Sequence, residues 1–561
     1  MKSDPQRENG LFGSARFSYE AELEADGWFE FSDDAIYCGK AFGRRLWYKG
    51  PGGVVIVAGA RSGKLAGLLG YNICQRILSA ETIVAVDIKC ELAAISQDQT
   101  PDDKYCIYWN PQARFGLPQH RINPVGNLRW SSPSLVSDLK QYLAGMLPES
   151  GAGNAKYFEM TARRLGEGLA LSLIEAIGVL TLPDLYFCIL ALQAGGKPWA
   201  PYGAEMTSSS FAEVRTLAAE IEAAQTDTSG GWRGVLGELA AAFSCLSDRQ
   251  LLRSVSAPFD FRLEDMSASE RKHQLFLMCQ EDMVDLWAPV MKSFLTTMRT
   301  LKAKAPDAPR QTWIIDEAAR FKNYPEIADL FTIGAGIGVR PIAVFQDVSQ
   351  MNDLAKNAQR KILSSAQVQL YFGIRDLESA EHVSKLLGEA TFEHNDPQDQ
   401  GRALVDLVRL IGSFLGGRSL NSLFLELQQK RRETAFVTLN KRMLWTTDEV
   451  LRMPAKSMFM LTDGQHPTWG ALPFYFHEIW MDGRYLPNPY HPPMDKVQVM
   501  TRRGRRYRPV VARKVPAAFA DFPQYTSGTG LFVEKGVTKW SGYLWRIFPC
   551  ISASISRSGK R

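Results

Sequence analysis

The sequence has no pair of cysteines at C-x-x-C spacing. Its eight cysteines, at 38, 74, 90, 106, 188, 245, 279 and 550, are scattered. That excludes a ribbon-type zinc framework and a disulfide ladder, and a reducing compartment is the simple expectation. Also absent is any run of about twenty uncharged apolar residues, the length a membrane span needs. The nearest stretch, 166–195, is interrupted by Glu167, Glu175, Asp184 and Pro183, and is expected to be two buried helices. The first seventeen residues, "MKSDPQRENGLFGSARF", have no apolar centre and so no signal-peptide character. No internal repeat is present. The expectation is a soluble chain, held at a membrane only through a partner.

What is present is an ordinary globular composition, 45% hydrophobic and 22% charged, which excludes wholesale disorder. With 561 residues the chain should fold as two to four domains. The formal charge of +5 says little until its distribution is known.

From Gly53 short apolar runs alternate with helical ones. "VVIVAG" (54–59), "TIVAVDI" (82–88) and "YCIYWNP" (105–111) read as strands, and "LAGLLGYNICQRIL" (65–78) as a helix. Between Ser134 and Leu252 the spacing is helical throughout, which indicates an inserted all-α domain. "HQLFLMCQ", "TWIIDE", "VRPIAVFQD", "QVQLYFGI" and "SMFMLTD" then restore the strand rhythm. The predicted organisation is an extension over 1–50, a nucleotide-binding α/β domain with a parallel-type sheet over 51–133 and 260–487, an all-α domain over 134–259, and a basic, proline-rich tail over 488–561. Residues 395–435 look like a peripheral excursion.

Three stretches carry chemistry. "AGARSGKL" (58–65) follows a strand and opens a helix, where unpaired backbone N–H groups and the positive helix end favour phosphate. It departs from G-x-x-x-x-G-K-[ST]: Ala58 replaces the first glycine and Leu65 the magnesium-binding hydroxyl. On the loop alone, a degenerate phosphate site and a coincidence are equally good readings. Gly59, Ala60, Arg61, Ser62, Gly63, Lys64 and Leu65 form the candidate cradle, with Lys64 on the β/γ-phosphates. "TWIIDE" ends a strand in Asp316 and Glu317, suited to holding Mg2+ and polarising a water respectively, or else merely two solvated acids. Gln346 ends a further strand thirty residues on, where it could sense the γ-phosphate.

These segments, in this order, resemble the VirD4/TraG family of type IV secretion coupling proteins. "GSARF" (13–17), "VDIKCEL" (86–92), "INPVGNL" (122–128) and "AKYFEMTARRL" (155–165) are similar to family segments. So are the block from Ile314 to Met351, "FGIRDLESAEHVSKLLGEAT" (372–391) and "LTDGQHP" (461–467). The family loop is of the A-P-T-R-S-G-K-G type, so the missing glycine and hydroxyl are partly family habits. The resemblance implies a RecA-like P-loop domain carrying an all-α domain, ATP and Mg2+ as cofactors, and a homo-hexamer. It also implies relaxase-bound single-stranded DNA or effector proteins as cargo, passed to the type IV secretion channel at the cytoplasmic face of the inner membrane.

Three departures accompany it. Leu65 is bulky at the magnesium end. The position of an arginine that some branches use in trans is Ala335, with Arg340 nearby in sequence. The family's membrane helices have no counterpart ahead of Gly13. Leu65 and Ala335 put hydrolysis in question, which keeps a non-hydrolysing docking receptor open beside an ATP-driven motor. A cytosolic RecA-like DNA pump is a third reading.

Residues 496–514 hold Lys496, Arg502, Arg503, Arg505, Arg506, Arg508, Arg513 and Lys514 and no acid. This run could bind DNA phosphates or an anionic membrane face, or form a solvated tail. "WSGYLWRIFPCISASI" (540–555) suits an interfacial anchor or a docking peptide.

Overall fold

A computed structural model of the chain describes residues 14–74, 77–96, 104–147, 153–225, 231–268, 271–394 and 438–534. The excursion expected over 395–435 and the aromatic stretch 540–555 lie outside the described residues.

The centre is an eleven-stranded sheet. Its strands are β1 (Ile36–Ala41), β2 (Arg44–Tyr48), β3 (Val54–Ala58), β4 (Thr82–Ile88), β5 (Tyr105–Trp109), β6 (His273–Cys279), β7 (Gln311–Ile315), β8 (Val339–Phe345) and β9 (Val368–Phe372). After a separate hairpin of β10 (Glu389–His394) and β11 (Thr438–Met443) come β12 (Ser457–Thr462) and β13 (Thr468–Ala471). The order across the sheet is β2-β1-β13-β12-β9-β3-β8-β7-β4-β6-β5. The seven strands from β9 to β5 are parallel and the other four antiparallel. The α/β class expected from the sequence is the class observed.

The strands read as unbroken apolar runs because both faces of the sheet are covered. Successive residues of β3 enter different cores. Val55 and Val57 join the core shared with the helical domain, and Val54, Ile56 and Ala58 join the one on the opposite face. Between β5 and β6 the chain leaves the sheet for the helices Leu135–Met146, Gly153–Ile177, Leu182–Ala194, Gly196–Thr207, Ala212–Gln225, Gly231–Phe243 and Arg249–Ser254. The first of these stays against the α/β domain, where the Tyr142 hydroxyl lies 3.1 Å from Ser293 Oγ on the helix Val284–Lys304.

Two segments differ from expectation. Residues 36–48, read as part of an extension, are two strands of the main sheet, so the boundary at 51 is not structural. Their apolar residues pack on the same core as β3. The basic run 496–514 is no solvated tail. It forms β14 (Lys496–Thr501) and β15 (Gly504–Lys514), joined by β16 (Thr529–Val533) in a three-stranded sheet. Val497 and Val499 anchor it to the main body. Beyond it, the Gln524 side chain accepts from Cys106 N at 3.0 Å and donates to Lys104 O at 3.0 Å along the outer edge of β5. No helix among the described residues is long and apolar enough to cross a membrane.

Candidate functional site

The parallel topology brings the carboxyl ends of β3, β8, β7 and β4 to one edge of the sheet. Ligand crevices of open α/β sheets form at this edge. The sequence candidates converge there. The loop from Gly59 to Lys64 leaves β3, Asp316 and Glu317 leave β7, and Gln346 leaves β8.

The missing first glycine is supplied one position later. Ala58 is still strand, paired with Phe372. The tight approach falls at Gly59, where a Cβ would lie 2.3 Å from Gly373 O. Gly373, with φ of +60°, in turn faces Ser62, and a Cβ on it would lie 2.4 Å from Ser62 Cβ. The loops after β3 and β9 are thus interlocked through two glycines. Arg61 takes φ of 58° and Gly63 takes 89°. Phe474 covers Gly63 on the outside, its ring edge 2.8 Å from where a Cβ would stand.

The helix after the loop begins as a π-turn, Leu65–Leu69, with Gly70 N donating to Leu65 O, and continues as α over Gly70–Ile73. It ends earlier than the periodicity of 65–78 suggests. Leu65, half-buried, packs against the core beneath. It offers no oxygen to a metal.

Burial first of all pushes the Asp316 carboxyl up to about 6, opposed by the Lys64 ammonium and reinforced by Glu317. Its Oδ1 is buried with no hydrogen-bond partner among the described residues, as are Glu317 Oε2 and Ser62 Oγ. Glu317 is held in the left-handed region at φ 51°, between Lys89 at 4.0 Å and Arg320 at 3.7 Å. The backbone N–H of Gln346 donates to Gln350 Oε1 at 2.9 Å. Buried polar atoms are normally hydrogen-bonded, so three without a hydrogen bond beside this loop point to partners outside the chain. A lysine, an inward acid and a hydroxyl at this place are the donor set that a magnesium nucleotide requires, and the residues present fit it.

Sequence reasoning passed over Asp87, which lies within the "VDIKCEL" stretch. Its carboxylate accepts from Leu92 N at 3.2 Å and Ala93 N at 2.7 Å, starting the helix Glu91–Ser96. Burial pushes it up to about 7 despite those bonds. It sets the turn that carries Lys89 toward Glu317. Also missed was Arg375, two residues past Gly373. It is exposed, its Cγ lies 3.7 Å from where a Gly59 Cβ would stand, and it has no ion pair among the described residues.

Arg340 is not at this edge. It is fully buried at the start of β8, with Nη2 2.9 Å from Glu81 and bonds to the carbonyls of Asp34 and Gly50. It is a core ion pair and cannot stand in for Ala335, which is exposed on the helix Glu326–Ile337. The basic candidates divide as well. Arg502, Arg503, Arg505 and Arg506 are exposed on the β14–β15 ribbon, whereas Arg508 is committed to a bidentate pair with Asp482 at 2.6 and 2.5 Å.

A family model described as "Type IV secretory system Conjugative DNA transfer" matches residues 9–404. The conjugal transfer protein TraG of Escherichia coli is 22% identical over 476 residues, 77% of this chain and 68% of its own. Protein VirD4 of Rhizobium radiobacter is 23% identical over 379 residues, 64% of this chain and 53% of its own, so the chain spans about half of that relative. Among solved structures, the bacterial conjugative coupling protein TrwBdeltaN70 superposes with a TM-score of 0.57 at 15% identity, over 82% of this chain and 94% of that one. Plasmid coupling protein TrwB in complex with ADP and Mg2+ gives 0.56 at 14%, over 82% and 93%. At such identity the structures establish the fold, RecA-like with a helical domain. The family match runs from before the first described strand, through the loop Gly59–Lys64, the acids after β7 and the glutamine after β8. The chain belongs to the type IV secretory system conjugative DNA transfer family, as a coupling protein of VirD4/TraG type.

Proposed function

We propose that this chain is an ATP-dependent coupling protein that receives single-stranded DNA, with its relaxase, or protein substrates and passes them to a type IV secretion system. The observation that carries the reading is the grouping of Ser62 Oγ, Asp316 Oδ1 and Glu317 Oε2, buried without a hydrogen-bond partner among the described residues, around the loop bearing Lys64. TrwB, which shares the fold, has been solved with ADP and Mg2+ and with a non-hydrolysable ATP analogue.

In this reading the backbone from Gly59 to Leu65 holds the phosphates, and Lys64 neutralises the β/γ pair. Asp316 is the magnesium-holding residue; bound metal supplies Lewis-acid stabilisation of charge on the transferring phosphoryl group. Glu317 takes the proton of the attacking water as its oxygen bonds to the γ-phosphorus and the bond to the β-phosphate oxygen breaks, leaving ADP and phosphate. Gln346 reports the γ-phosphate to the segment after β8. The working assembly is a hexamer at the cytoplasmic face of the inner membrane, joined to the channel through partners.

A second reading, a docking receptor that binds nucleotide without turning it over, draws on one observation. Leu65, half-buried, packs against the core at the end of the loop where a magnesium-binding hydroxyl would stand. ATP hydrolysis by the purified chain, with and without single-stranded DNA and beside Lys64→Ala, separates the two. DNA-stimulated turnover lost in Lys64→Ala supports the motor. Folded protein that binds ATP with no turnover above that variant moves the assignment to the receptor.

A further inference from the structure

We infer that the β14–β15 ribbon is a single-stranded nucleic-acid-binding element, with Arg502, Arg503, Arg505 and Arg506 on phosphates and Tyr507 stacking on a base. The inference rests on the proposed reading that this chain handles DNA, and it is independent of nucleotide hydrolysis.

The two strands pair in strict antiparallel register from Lys496↔Pro509 to Thr501↔Gly504, which leaves Arg502 and Arg503 as a two-residue turn at the tip. The root of the ribbon is fixed. Val497 and Val499 are buried in the core, Tyr485 donates its hydroxyl proton to Gln498 O at 2.6 Å, and Arg508 is clamped to Asp482. Among the described residues, charge on the ribbon is neutralised only at the root and along the far part of β15, where Arg513 meets Glu534 at 2.7 Å. The four guanidinium groups at the tip are exposed and form no ion pair among the described residues. Four like charges within five residues repel one another, and a rigid ribbon holds them together at a cost that a polyanion relieves.

The aromatic ring identifies which polyanion. Arg505 and Tyr507 alternate with Arg506 and Arg508, so they share one face of β15. Tyr507 is 59% exposed, with the Lys496 ammonium 5.4 Å from its ring centroid. Cations flanking an exposed ring suit a backbone whose unpaired bases are free to stack. A duplex keeps its base faces covered. An anionic membrane would need apolar side chains to insert at the tip, and the tip from Arg502 to Arg506 has none, while Val497 and Val499 turn inward.

The test compares the full chain, the Arg502→Ala/Arg503→Ala/Arg505→Ala/Arg506→Ala variant and Tyr507→Ala. Each is titrated by fluorescence anisotropy with a labelled single-stranded oligonucleotide, its duplex, and vesicles containing phosphatidylserine. These side chains are exposed, so the variants keep the parent's unfolding midpoint. Losing four phosphate contacts lowers the slope of log K against log salt by about 3 for single strands. Tyr507→Ala weakens single-strand binding roughly tenfold and leaves the duplex unchanged. An unchanged slope in the quadruple variant overturns the inference. So does a Tyr507→Ala effect equal on both nucleic acids, or a loss confined to vesicle binding. Absence of single-strand binding by the parent chain overturns the DNA reading itself. Binding by the parent that ignores these substitutions overturns only the role of the ribbon.

Discussion

Replacing Gly373 by alanine displaces the loop after β3 without replacing any residue assigned to chemistry. At φ of +60° an alanine costs roughly 1–2 kcal/mol in backbone conformation alone. The larger effect is steric. The new methyl would stand 2.4 Å from Ser62 Cβ, whereas carbon atoms in contact sit about 3.5–4.0 Å apart, so one loop must retreat by about 1 Å. Gly373 closes β9, which is bonded on both sides, to β3 and β12. Ser62 is held by a single backbone bond, to Gly59 O at 3.3 Å, so it is the phosphate loop that moves.

A displacement of that size at a reacting centre costs on the order of 100-fold. We expect the Kd for magnesium ADP, measured by calorimetry, to rise about 100-fold, equivalent to about 2.7 kcal/mol. The urea midpoint should fall only by the conformational part. The pair Gly373→Ala/Ser62→Gly removes the colliding carbon and should bind ADP to within a few-fold of Ser62→Gly alone, while keeping the lowered midpoint. Unchanged ADP binding in Gly373→Ala, or failure of Ser62→Gly to restore it, refutes the idea that the glycine interlock sets the loop.

Arg375→Ala should weaken ADP and ATP alike by about tenfold, since a charge-assisted bond contributes about 1.5–3 kcal/mol. A loss seen for ATP only places the arginine elsewhere. Arg340→Ala removes one of the two guanidinium partners of buried Glu81, leaving Arg310, and should destabilise the fold by about 1.5–3 kcal/mol in chemical denaturation. The protein that remains folded should bind nucleotide normally. Lys104 is buried with its ammonium 2.6 Å from Leu78 O, and burial lowers it to about 7. Its folded value lies below its unfolded one, so the folded state binds fewer protons between pH 7 and 10. Its share of stability therefore grows as pH rises through that window. Lys104→Met should flatten that rise in urea midpoints, and an unchanged profile would count against the assignment.

The parallel strands were legible in the sequence because burial on both faces leaves them as unbroken apolar runs. Asp316, Glu317 and Gln346 were legible because they follow such runs directly, and Lys64 because a glycine-bearing loop joins it to one. Strands β1 and β2 were not, since "IYCGKA" and "RRLWY" mix charge with apolar residues too briefly to show a period. The β14–β15 ribbon was hidden by its arginines, which resemble a solvated tail until Val497 and Val499 are seen to face a core. Two facts needed three dimensions outright. Arg340 is matched by Glu81, 259 positions away, and Gly59 by Gly373. No local pattern encodes either pairing.

The Gln524 carboxamide, bonded to both Lys104 O and Cys106 N, stands in for a missing neighbour of β5. With that seat taken, a second copy of the chain has no free ladder at this edge of the sheet to extend. A version cut short after Tyr490 would lose this guard, and its outermost strand would become an adhesive edge that costs solubility before it costs activity.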